Sequence, residues 1–210
     1  MCDNVNRNVC PEPSLRRLPW YLAYAQLSRR NGETMLSSTQ IARGVGVDAS
    51  VVAKDLSYVA VTGRTRVGYE IDELVRYLEE FLGFSCQHRA FLFGVGKLGG
   101  ALLQDRGLER FGLDIVAGFD SKYELSGTSI LRTPIHHISR FAELQQLMHV
   151  EIGVLTVPVE VAQETAERLV ENGIKAIWNF TPVRIQVPDE VVVQNTSIYA
   201  HLALMYNRMS

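Results

Sequence analysis

The sequence predicts an α/β protein of two modules, a basic helical one followed by a parallel sheet flanked by helices. Three observations carry this reading. Charge is unevenly placed: the 210 residues sum to −2, yet residues 14–69 hold eight Lys/Arg against three acids, net +5, which leaves −7 for the rest. Hydrophobic periodicity is helical as far as residue 82, then switches at residue 89 to apolar strands alternating with helices. A glycine-rich turn, Gly94-Val-Gly96-Lys-Leu-Gly99, falls where the first of those strands gives way to a helix. With 47% hydrophobic and 21% charged residues, the chain has the composition of a folded globular protein. No run is long and apolar enough for a membrane span, and the N-terminal residues lack the apolar core of a signal peptide, so a cytoplasmic location is expected.

Residues 1–13 are polar, with two prolines, and are expected to be disordered. Residues 15–30 read as a helix with Leu18, Leu22 and Ala25 on one face, ended by Asn31-Gly32. Ser37 or Ser38 caps a short second helix, and Gly44-Val-Gly46-Val makes a tight turn. Asp48 caps a third helix over 49–60, where Val52, Leu56 and Val59 share the core-facing side. Ser50, Lys54 and Ser57 then point outward, with Tyr58 at the edge. The ribbon TGRTRVGY, residues 62–69, carries Arg64 and Arg66 between glycines. Two short helices across a glycine turn, followed by a basic hairpin, are the pattern of a winged helix-turn-helix. A small helical bundle with solvated arginines fits the same residues. On the first reading, the DNA-contacting candidates are Arg16, Arg17, Arg43, Ser50, Lys54, Ser57, Tyr58, Arg64 and Arg66. An amphipathic helix over 72–82 completes a DNA-binding module spanning 14–84, and the polar residues 85–88 are its linker.

Residues 89–195 read as a Rossmann-type domain, with strands in 89–93, 113–120, 151–158 and 174–180. The glycine motif has the context that a dinucleotide fingerprint requires. It follows an apolar strand, opens a helix, and lies 21 residues before an acid, Asp120, at the end of the second strand. Gly94 permits the tight turn, Gly96 lets the backbone approach a pyrophosphate, and Gly99 lets the helix pack closely. Val95, Lys97 and Leu98 complete the loop, whose helix N-terminus offers N–H groups to phosphate. Asp120 would accept hydrogen bonds from the adenosine ribose and repel a 2′-phosphate, favouring NAD(H) over NADP(H). Lys122, two residues on, works against that discrimination. A related domain for another nucleotide or coenzyme A satisfies the same motif.

A catalytic role finds little support in these residues. The segment from 89 onward is nearly consumed by the sheet and its helices, and no hydride-transfer base stands out. His136 and His137 read as cap or surface residues, His88 lies in the linker, His149 ends a helix, and His201 is on the terminal helix. Cys2, Cys10 and Cys86 lack metal-ligand spacing and read as reduced thiols. A small NAD- or CoA-binding enzyme subunit would explain residues 89–195 but leave the basic module idle. Residues 196–210 form a helix apolar almost all round: Ile198, Leu202 and Met205 make one stripe, with Tyr199, Leu204 and Tyr206 off it. Such a helix should be buried, against a second subunit or on its own sheet.

RLPWYL (17–22), KDLSY (54–58), VGY (67–69), FGVGKLG (93–99), LTVP (155–158), GIKAIWNFTP (173–182) and VPDEV (187–191) occur here in order. Together they make this chain resemble the Rex family, redox-sensing transcriptional repressors of bacteria. The resemblance implies a homodimer that binds a palindromic operator and releases it when NADH replaces NAD⁺. It further implies a C-terminal dimerisation helix swapped into the partner, and a nucleotide lying on Gly94–Gly99 with Asp120. Thr156, Val157, Pro158, Asn179 and Phe180 would close around the nicotinamide half. Three departures from the family pattern stand out. Ala53 replaces an arginine of the recognition helix, Thr65-Arg66 alters the wing, and Ala23 with Ser197 replaces an Arg/Asp pair. Losing both ends of that pair strands no buried charge.

Overall fold

The computed structural model describes residues 10–64 and 67–209, in two compact units that meet between Cys86 and Gln87. Thr65, Arg66 and residues 1–9, which include most of the tail expected to be disordered, lie outside the described residues.

In the first unit, α1 spans Glu12–Arg30, so helix begins inside that tail. The prolines that suggested a break sit at the helix start instead, Pro11 as N-cap and Pro13 in the first turn, where a missing N–H costs nothing. Leu18, Leu22 and Ala25 of α1 are fully buried, as periodicity predicts, and Tyr21 is buried beside them. A two-residue strand β1 (Met35–Leu36) leads to α2 (Ser38–Val45), whose N-terminus carries a capping box. The Ser37 Oγ accepts from the Gln40 N–H at 3.2 Å, and the Gln40 side chain accepts from the Ser37 N–H at 2.8 Å.

Only one of the two expected turn glycines makes the turn. Gly46, at φ 74°, is the left-handed C-cap of α2, whereas Gly44 lies inside the helix. A Cβ on Gly44 would stand 2.2 Å from the Tyr24 ring, so glycine here serves the close approach of α1 to α2. Helix α3 (Ala49–Leu56) is shorter than expected. Residues 57–60 continue as i→i−3 turns, which keeps Val59 in the core with Val52 and Leu56. Strand β2 (Tyr69–Glu70) pairs antiparallel with β1, and α4 (Ile71–Leu82) closes the unit by packing on α1.

In the second unit, the seven-stranded sheet has the order β5-β6-β4-β3-β7-β8-β9. Its strands are β3 (His88–Phe93), β4 (Leu113–Asp120), β5 (Ser129–Ile130), β6 (Thr133–His137), β7 (Ile152–Leu155), β8 (Ala176–Asn179) and β9 (Val192–Asn195). All pair in parallel except the edge strand β5. The strand order reverses beside β3, the topological switch point where open parallel sheets take ligands. Strand β3 begins at His88, inside the expected linker. Helices α5 (Lys97–Gln104) and α6 (Arg106–Arg110) follow β3, α7 (Phe141–Met148) follows β6, and α8 (Ala162–Glu171) follows β7.

Alternation along β3 sends Phe91 and Phe93 to one face, where they meet Phe119 and Phe141 edge-on or stacked. Ala90 and Leu92 pack on the other face with Val95 and Leu103. Helix α9 (Ile198–Met209) buries none of its residues, so packing on its own sheet is ruled out. Cys10 is a free, half-buried thiol, and Cys2 lies outside the described residues.

Candidate functional site

The glycine loop between β3 and α5 is built from close backbone contacts. Gly94 has φ 94°, and a Cβ there would fall 2.7 Å from the Thr156 carbonyl oxygen. A Cβ on Gly99 would fall 2.1 Å from the Gly94 carbonyl oxygen, so α5 can approach the loop only through glycine. Gly96 is different: it is the N-cap of α5 and nothing lies within 4 Å of its Cβ position. Open space, a cap with no side chain and the positive end of α5 coincide there, which suits a pyrophosphate. Gly96, Lys97 and Leu98 are exposed at this helix start, whereas Val95 and Gly99 are buried beneath it.

Asp120, at the carboxyl end of β4, accepts from the Val95 N–H at 2.8 Å and from the Lys122 N–H at 2.9 Å. Each oxygen keeps acceptor capacity for a ribose hydroxyl. From β7, the Thr156 hydroxyl donates to the Gly94 carbonyl at 2.7 Å and ties the two strand ends together.

These ends enclose a cavity of about 570 Å³ lined by Gly94, Gly96, Asp120, Lys122 and the run Thr156-Val157-Pro158. It is within the size range of small-molecule sites. Its far wall was not legible in any motif: Ile138 after β6, with Glu164, Thr165 and Arg168 one turn apart on α8. Glu164 and Thr165 stand four and three residues before Arg168, and that spacing on the helix after a strand end was the signal available. The Arg168 guanidinium donates to the Ile138 carbonyl at 3.3 Å. These residues fit a dinucleotide: open space over a helix N-terminus for phosphates, a carboxylate beside it for ribose, and an apolar-walled cavity.

Asn179 and Phe180 do not line this cavity. Asn179 is fully buried and its amide is spent internally. Its Nδ2 donates to the Val183 carbonyl and Asn195, and its Oδ1 accepts from the Thr181 N–H and hydroxyl. It therefore shapes the loop after β8 rather than presenting an amide to a ligand. Phe180 packs on Trp178, 4.6 Å between centroids. His137 caps the turn after β6 through Nδ1 and stacks on Tyr123 at 3.9 Å, while burial and the Arg140 cation push the His136 imidazole below its ordinary value.

In the first unit, Ser50, Ala53, Lys54 and Ser57 lie exposed along α3, with Tyr58 half-buried at the edge. Arg43 is exposed on α2, and Arg16 is exposed on α1 with a surface pair to Glu12. Arg64 and Gly68 exchange backbone hydrogen bonds of 2.7 and 2.9 Å, closing the wing. Gly68, at φ 105°, lies where a Cβ would meet the Leu36 carbonyl at 2.3 Å, which seats the wing on β1. Arg66 lies outside the described residues. Arg17 is the correction: its Nε and Nη2 donate to the two oxygens of Asp55 at 2.7 and 2.8 Å. Asp55 is buried and also accepts from the Tyr21 hydroxyl at 2.7 Å. The guanidinium is thus committed mainly to a buried carboxylate, with a quarter of the side chain left exposed. Asp55 itself, one residue past Lys54, was missed because an acid on a helix reads as solvated.

A family model described as "CoA binding domain" matches residues 86–183, and one described as "Putative DNA-binding protein N-terminus" matches residues 10–57. Among curated proteins, redox-sensing transcriptional repressor Rex of Porphyromonas gingivalis is 62% identical over 95% of this chain and 91% of its own. Rex of Bacteroides thetaiotaomicron is 58% identical over the same shares. The chain belongs to the Rex family. Among solved structures, RSP, a Rex-family repressor, in complex with beta-NAD+ and operator DNA aligns with a TM-score of 0.90. It is 31% identical, over 96% of this chain and 93% of that one. RSP in complex with beta-NADH aligns at 0.86, again 31% identical, over 96% and 94%. Rex-family membership accounts for both halves at once, which neither partial family model does alone.

Proposed function

We propose that this chain is a transcriptional repressor that reads the NADH/NAD⁺ balance in the cytoplasm. It binds operator DNA as a dimer through α3 and the wing, and it releases the DNA when NADH binds the cleft between β3, β4 and β7. The observation that carries the reading is Gly96: open space over the N-terminus of α5, between two glycines that tolerate no Cβ, with Asp120 beside it. A DNA-reading face in the same chain turns that cleft into a sensor, and the Rex relatives support the assignment. In RSP the same fold is complexed with NAD⁺ and operator DNA in one structure and with NADH in another.

The physical requirement is linkage. NADH must bind the DNA-incompetent arrangement more tightly than the competent one, and a swing from 1:99 to 99:1 needs a ratio of about 10⁴. NAD(H) makes this difference at the nicotinamide ring, while ribose and phosphate contacts anchor both forms equally. In this chain Asp120 positions the loop and receives ribose, Gly96 and the N–H groups of Lys97 and Leu98 receive phosphate, and Thr156 fixes the loop to β7. Lys54, Ser50 and Ser57 read the major groove, with Tyr58 at its edge, and Arg16, Arg43, Arg64 and Arg66 hold phosphates. Helix α9, apolar and uncovered, supplies the dimer contact.

The test is a gel shift on a duplex that the chain enriches from a random-sequence library, with NADH and NAD⁺ titrated separately. Release by NADH at concentrations where NAD⁺ leaves the complex intact is the expected result. Equal effects of the two nucleotides would reject redox sensing while sparing DNA binding.

A further inference from the structure

Buried ionic groups inside a small helical unit are costly unless every oxygen and proton finds a partner. Asp55 meets that condition. It is 1% exposed, lies on α3 one residue from the outward-facing Lys54, and its carboxylate is held from α1, by Arg17 and Tyr21. Arg17 makes a two-point contact with it, Tyr21 adds a third bond, and Ser14 lies 3.4 Å from the same guanidinium. Arg17 and Tyr21 are four residues apart, so both reach Asp55 from one face of α1. A planar fork bound at two atoms fixes rotation as well as distance, which apolar packing of Val52 and Leu56 does not.

We infer that Arg17, Tyr21 and Asp55 are positioning residues that set the rotation of α3 about its own axis, and hence the operator selectivity of this chain. This inference rests on the repressor reading. The positive charge of Arg17 is neutralised within the unit, so it adds little to phosphate attraction. Its effect falls on the angle at which Ser50, Lys54 and Ser57 meet base edges. Arg16, one residue earlier and exposed, has the opposite role.

The two roles separate in salt dependence, because each phosphate contact adds about 0.9 to the slope of log K against log salt. Arg17→Lys keeps the charge and loses the two-point contact. It should lower the ratio of operator to shuffled-duplex affinity tenfold or more, leave the salt slope unchanged, and leave NADH affinity unchanged. Arg16→Ala should reduce the slope by about 0.9 and weaken both duplexes alike. Tyr21→Phe removes one hydrogen bond and little volume, and should lower the ratio about threefold, which covers the case in which Arg17→Lys fails to fold. Unchanged selectivity in folded Arg17→Lys and Tyr21→Phe overturns the inference. Selectivity retained in Arg17→Ala with a reduced slope overturns it as well. A wild-type chain that enriches no duplex at all instead rejects the repressor reading.

Discussion

The Asp120 carboxylate accepts a hydrogen bond from the Val95 backbone N–H at 2.8 Å, so the acid at the end of β4 holds the glycine loop that follows β3. One side chain thus sets the loop and supplies acceptors to a ribose. Asp120→Ala should weaken NADH more than tenfold and narrow the gap between NADH and NADPH, because the repulsion of a 2′-phosphate goes with it. Calorimetric titration of both nucleotides checks this. An unaltered NADH/NADPH ratio would move the ribose elsewhere.

Two glycines of one loop should respond oppositely to alanine. Gly96 has φ −81° and open space, so Gly96→Ala should fold with Tm close to wild type yet lose NADH binding tenfold or more. Gly94 has φ 94° and no room, so Gly94→Ala should cost stability, on the order of 2–3 kcal/mol, before any ligand is added. Thermal melts with and without NADH separate the two outcomes. Normal NADH binding by Gly96→Ala would reject the phosphate assignment.

The Asp55 cluster makes the first unit sensitive to pH on both sides. Burial pushes the Asp55 carboxyl up, but hydrogen bonds from Arg17, Ser14 and Tyr21 outweigh it and hold it below the ordinary range. Its stabilisation is therefore present at neutral pH and is lost as pH falls through the ordinary carboxylate range and then through the folded value. Tyr21 has the opposite sign. Burial, then the bond to Asp55, pushes its hydroxyl up to about 12, so its stabilisation holds at neutral pH and declines as pH rises from about 10 toward 12. Denaturant melts across pH should show Tyr21→Phe losing the alkaline decline and Asp55→Asn losing the acid one, the latter from a lower plateau. An alkaline limb that persists in Tyr21→Phe would assign it to another group.

Helix α9 exposes Ile198, Tyr199, Leu204, Met205, Tyr206 and Met209 by about half or more of each. That much apolar surface on one helix needs a cover. A chain ending at Ser197 should sediment as a monomer, bind NADH within threefold of wild type, and lose operator affinity. A truncated chain that remains dimeric would place the subunit contact elsewhere.

The two modules, the glycine loop with Asp120 and the outward face of α3 were legible because each rests on local rules. Those rules are charge along the chain, the periods 3.6 and 2, and glycine where no Cβ fits. The wall of the cavity was not legible, since Glu164, Thr165 and Arg168 reach it only because α8 crosses back over β7. Asn179 and Arg17 misled for a related reason. A polar side chain in a motif reads as a ligand contact until its hydrogen bonds are found already spent, on Thr181 and Asn195 in one case and on Asp55 in the other.

By itself, then, the sequence determined the order of elements, the parallel sheet, the glycine loop and the outward face of α3, all consequences of residues close along the chain. Tertiary structure alone decided which polar groups remain free to act. Pairing between Arg17 and Asp55, 38 residues apart, depends on how α1 crosses α3. The unburied state of α9 depends on what its own sheet leaves uncovered. Availability is a property of packing, because a buried donor must be satisfied by whatever the fold brings near it.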